Sequence, residues 1–62
     1  MGRYSLVGVD GNAFAVMAYV AKAMEKEGKT VEEIRAYCVL AEAGDYNNLL
    51  CVSQDVIDAL NH

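Results

Sequence analysis

The sequence predicts a mainly helical fold, in which one short N-terminal β-strand leads into three helices and the first two helices close as an antiparallel hairpin. Three observations carry this. Apolar residues recur every three or four positions from Ala13 to Met24 and again from Tyr46 to Leu60. Thr30-Val31-Glu32-Glu33 spells a capping box, the pattern in which a threonine hydroxyl and a third-position glutamate satisfy orphan amides at a helix start. The 62 residues include no proline, while Gly28 and Gly44 stand where helices should stop.

The strand is expected over about residues 4–9. Leu6, Val7 and Val9 are apolar on both faces, and Gly8 in their midst admits a second backbone or marks a bulge. Asp10 and Gly11 form the turn that follows, and Asn12 is the N-cap of a helix over about 12–27. In that helix Phe14, Met17, Ala21 and Met24 make one apolar stripe, and Ala13, Val16, Val20 and Ala23 make a second. Two stripes give an apolar face wider than one neighbouring helix can cover. Gly28 supplies the left-handed residue that ends it, and Thr30 caps a second helix over about 31–43. Ile34, Cys38 and Ala41 face inward there, flanked by Val31 and Tyr37. Asp45 caps the third helix, about 46–60, with Tyr46, Leu49, Leu50, Ser53, Ile57 and Leu60 on its inner side. A strand at 49–53 followed by a short helix is the competing assignment. The apolar spacing of three to four favours the helix.

Sixty-two residues define a single small domain, 1–62, whose buried area barely offsets an ordering cost of about 1.5 kcal/mol per residue. Chains of this size usually add a disulfide, a metal or a partner subunit. Cys38 and Cys51 lack metal-site spacing and no secretory leader is visible, so both are expected as reduced thiols in a cytoplasmic protein. With one histidine, His62, they cannot complete a zinc site. No metal and no cofactor is expected. A hydrophobic fraction of 55% exceeds what so small an interior can hold. A second copy of the chain is therefore the expected staple, with Tyr4, Leu6, Val7, Phe14 and Met17 at the interface and the strand paired across a two-fold axis.

The net charge of −4 is uneven, with four basic and three acidic groups in residues 1–30 against one and six in 31–62. Nucleic acids and anionic membranes need clustered cations, so both are discounted as partners. No apolar run approaches the roughly 20 residues of a membrane span. An unidentified protein with a basic site is a possible partner, met by Glu32, Glu33, Glu42, Asp55 and Asp58.

Two resemblances reside in these residues. Leu6-Val7-Gly8-Val9-Asp10-Gly11-Asn12-Ala13-Phe14, then Thr30-Val31-Glu32-Glu33-Ile34, then Gly44-Asp45-Tyr46 with Leu49-Leu50, resemble a family of small bacterial and phage-borne proteins in order and spacing. That resemblance implies a compact fold and brings no activity. Locally, Val9-Asp10-Gly11-Asn12-Ala13 is similar to the opening motif of the 5′-nuclease domain attached to bacterial DNA polymerase I, where the aspartate ends the first strand and helps bind catalytic metal. It implies a small metal- or phosphate-dependent hydrolase using Asp10. Such nucleases need further carboxylates on later strands, which this chain lacks. Asp10, Gly11, Asn12, Gly28, Thr30 and Asp45 are therefore read as turn and cap residues, with no catalytic residue assigned. The function expected is a non-enzymatic, self-associating interaction module, homodimeric.

Overall fold

A computed structural model describes residues 4–62. It contains three helices: α1 (Ala13–Lys26), α2 (Val31–Glu42) and α3 (Tyr46–Leu60). Each packs against the other two. The helix starts follow from side chains of the residues before them. Asn12 accepts the Phe14 amide at 2.8 Å, Thr30 the Glu33 amide at 3.1 Å and Asp45 the Asn48 amide at 3.0 Å. Each bond satisfies one of the amides that a helix leaves without an internal partner. The ends differ. Gly28 takes φ +82 just beyond α1, and Lys29 donates back to the Met24 carbonyl at 3.0 Å, so the chain reverses within Glu27–Thr30. At the end of α2, Asn48 reaches back from α3 and donates through Nδ2 to the Leu40 carbonyl at 2.9 Å. One asparagine thus closes a helix end and sets how tightly the α2–α3 connection turns.

The core is small. Val16, Val20, Ala23 and Met24 of α1 meet Tyr37 and Ala41 of α2 and Leu49 and Ile57 of α3. Half-buried Leu6, Val9, Ile34, Leu50 and Leu60 pack around them. The Cα radius of gyration is 10.6 Å, against about 10.5 Å for a compact folded chain of this length. Among the described residues, this core is closed within the one chain.

Residues 49–53 are helical, inside α3. The N-terminal strand is not formed. Among the described residues no segment is a strand, and 6–9 is a turn in which Val9 donates to the Leu6 carbonyl at 3.1 Å. Gly8 has φ +86, a conformation that breaks extended pairing. Side chains take the place of a ladder: the Asn61 amide accepts from the Tyr4 N–H and donates to the Tyr4 carbonyl, both at 2.8 Å. The Tyr19 hydroxyl accepts from the Ser5 N–H at 3.0 Å, and the Ser5 hydroxyl from the Val7 N–H at 3.1 Å. In the single chain, residues 4–9 are thus held by side-chain bonds and the turn at 6–9, not as the expected strand.

Phe14, expected at an interface, and Val31, expected to flank the inner stripe of α2, both lie at the surface. Phe14 is 82% exposed and Val31 69% exposed, because the other helices close over the Val16–Val20–Ala23 side of α1 and the Tyr37–Ala41 side of α2. The Phe14 stripe reaches the core only at Met24, with Met17 and Ala21 half-buried between.

Candidate functional site

The hydrolase expectation rests on the Asp10–Asn12 turn. Asp10 Oδ1 accepts the Asn12 N–H at 2.9 Å, and Asn12 in turn caps α1. The carboxylate is engaged in an Asx turn, a local bond that fixes the chain direction into the helix. Tyr46, the first residue of α3, donates its hydroxyl proton to the Gly11 carbonyl. The turn is thus held from both sides. Among the described residues, no three His, Cys, Asp or Glu side chains stand close enough to hold a metal ion.

The expected interface set is dispersed. Tyr4 and Leu6 are half-buried against the protomer's own core, and the Tyr4 hydroxyl donates to Glu27 Oε2 at 2.7 Å. Val7, 91% exposed, projects from the turn. Phe14 is exposed on α1. Met17, one turn further on, lines a cleft of about 310 Å³ where the start of α1 meets the end of α2 and the start of α3; Ala13, Ala41, Tyr46 and Leu49 complete its apolar wall, with Glu42 and Asp45 at its polar edge. Val39, Leu40 and Tyr46 are also exposed and were not anticipated at the surface. Their exposure is a consequence of how the α2–α3 connection turns, which residue spacing does not encode.

The acidic residues do not form one cluster along α2. Glu32 and Glu33 occupy its first turn and Glu42 its last, roughly 14 Å apart at the helical rise. Asp55 and Asp58 are exposed on α3, where Asp58 accepts from Gln54 Nε2 at 2.9 Å. The two cysteines are unbonded to each other, Cys51 exposed and Cys38 half-buried.

One pairing in the interior was not anticipated. Tyr37 of α2 and Ser53 of α3 bond hydroxyl to hydroxyl at 2.6 Å, with Tyr37 3% and Ser53 0% exposed. Burial pushes the Tyr37 phenol above its ordinary pKa of 10.0, the bond to Ser53 pulls it back down and the neighbouring Cys38 raises it. A signal for the pair exists in the sequence. Ser53 interrupts an otherwise apolar stripe, and a buried hydroxyl requires a partner. With the Tyr37 ring in the core and its hydroxyl tied to Ser53, the pair links α2 to α3 through the interior.

A surface groove is the remaining feature. It runs along α1 beneath the 5–9 turn, as a stretch of about 650 Å³ that includes Val7, Ala15 and Ala18 and a second of about 250 Å³ that includes Ala23 and Lys26; Tyr19 and Lys22 border both. Among the described residues no helix is long and apolar enough to cross a membrane. No family model, curated protein or solved structure matches the chain.

Proposed function

We propose that this protein is a non-enzymatic, self-associating interaction module that works as a homodimer. The observation that carries the reading is the exposure of Phe14, 82% in a protomer whose core is already closed. A phenylalanine side chain has on the order of 150–250 Å² to bury, and water is a poor place for it. Val39 at 63%, Leu40 at 59% and Tyr46 at 44% extend the apolar surface near the same end of the bundle, where the start of α1 meets the α2–α3 connection. A stable interface takes about 800 Å² from each partner. That is about a fifth of the protomer's 4289 Å², so the proposed interface extends beyond these four side chains. The self-complementary requirement of a two-fold axis is met when one patch carries both a projecting ring and a cleft. Phe14 and the Met17 cleft are one helical turn apart.

Sedimentation equilibrium tests the proposal. The wild-type chain should be dimeric at low micromolar concentration, and Phe14→Asp should be a folded monomer by circular dichroism. A wild type that stays monomeric into the hundreds of micromolar refutes the dimer.

A further inference from the structure

The groove along α1 has a chemistry unlike the rest of the surface. The chain carries a net charge of −4, yet no acidic side chain lines either stretch of the groove. Its two ends differ in kind. Val7, Ala15 and Ala18 make one end apolar, with the alanines forming a shallow floor on the helix. Lys22 and Lys26, one turn apart on α1, line the other, beside Tyr4, whose hydroxyl donates to Glu27 Oε2. Between them lies Tyr19. Its hydroxyl accepts the Ser5 N–H at 3.0 Å, which leaves its own hydrogen to donate. Three donor-bearing side chains, Tyr19, Lys22 and Lys26, therefore line the groove beside its apolar stretch, and charge-assisted donors of this kind favour an anionic oxygen. From Ala15 to Lys22 the helix rises roughly 10 Å, the reach of a medium-chain aliphatic acid.

We propose that this groove binds a small amphipathic carboxylate. The apolar body lies against Val7, Ala15 and Ala18, and the carboxylate accepts from Lys22, Lys26 and the Tyr19 hydroxyl. Two cations and one phenol match a single negative charge better than a polyphosphate, and the apolar stretch is the larger of the two.

Sodium octanoate is the probe, titrated into the full 15N-labelled chain below its micelle concentration and followed by amide chemical shifts. Saturable shifts confined to residues 5–9 and 15–26 are expected. Lys22→Ala with Lys26→Ala should weaken the apparent affinity roughly five- to tenfold, the scale of two exposed charge contacts. Octyltrimethylammonium, with the same tail and the opposite charge, should leave those amides unmoved. The proposal is overturned if octanoate moves none of them or if the cationic probe moves them equally. It is overturned as well if the double variant binds as the wild type does.

Discussion

The Tyr37–Ser53 bond offers a test in which the combination of two single substitutions is expected to cost less than their sum. Tyr37→Phe keeps the buried ring and removes only the oxygen, which orphans a Ser53 hydroxyl that is 0% exposed. Ser53→Ala does the converse to the Tyr37 hydroxyl. Each single change should cost about 1–3 kcal/mol, the desolvation penalty of a buried group left without a partner. For a 62-residue chain, total stability is on the order of 3–9 kcal/mol, so either loss is a large fraction of it. At about 4–8 °C per kcal/mol for domains of this size, Tm should fall by roughly 5–20 °C. The double variant removes both oxygens and orphans neither, so it should be less destabilised than the two singles added together, and near the level of one alone. Urea denaturation followed by far-ultraviolet circular dichroism supplies all three values, and unchanged m-values confirm that the unfolded reference is the same. If the two losses simply add, the hydroxyls do not depend on each other and the bond contributes nothing specific.

Further outcomes follow from the same structure. Because burial raises the Tyr37 pKa above 10.0, the folded state keeps that proton to higher pH than the unfolded chain. The associated stability is complete below pH 10 and declines as pH climbs through the folded value, so urea midpoints measured from roughly pH 8 to 11 should fall less steeply in Tyr37→Phe than in wild type. Gly28→Ala has open space for its methyl, yet φ +82 is left-handed; a loss of about 1 kcal/mol in chemical denaturation is expected from backbone strain alone. Asp10→Ala removes the Asx bond to Asn12 and should cost no more than about 1 kcal/mol. Added Mg²⁺ should leave Tm unmoved in wild type and variant alike, and a metal-dependent rise that the substitution abolishes would restore the hydrolase reading of Asp10.

The helices were legible because their start signals are local. Asn12, Thr30 and Asp45 each cap through a bond to an amide two or three residues away, a pattern that residue order alone contains. The segment 4–9 was not, since Leu6, Val7 and Val9 suit a strand wherever a mate exists, and here Asn61, 57 positions away from Tyr4, binds the backbone instead. Phe14 shows a second limit. Periodicity marks both apolar stripes of α1 alike, and only the placement of α2 and α3 decides which of them is covered. The groove shows a third. Lys22 and Lys26 are visible as a spaced pair, but the apolar wall opposite comes from a turn whose course the sequence did not reveal.

The handling of the backbone at residues 4–9 has a consequence for how copies of the chain can join. A strand edge is an open template: each molecule that adds presents the same row of amides to the next, and growth has no natural end. Here Tyr4, Ser5, Val7 and Val9 each spend their N–H on a partner within the protomer. Association of the kind proposed above rests on side chains, away from these backbone groups. The proposed two-fold contact is satisfied by one partner, so concentrating the protein should yield a plateau in mass at the dimer and no fibres.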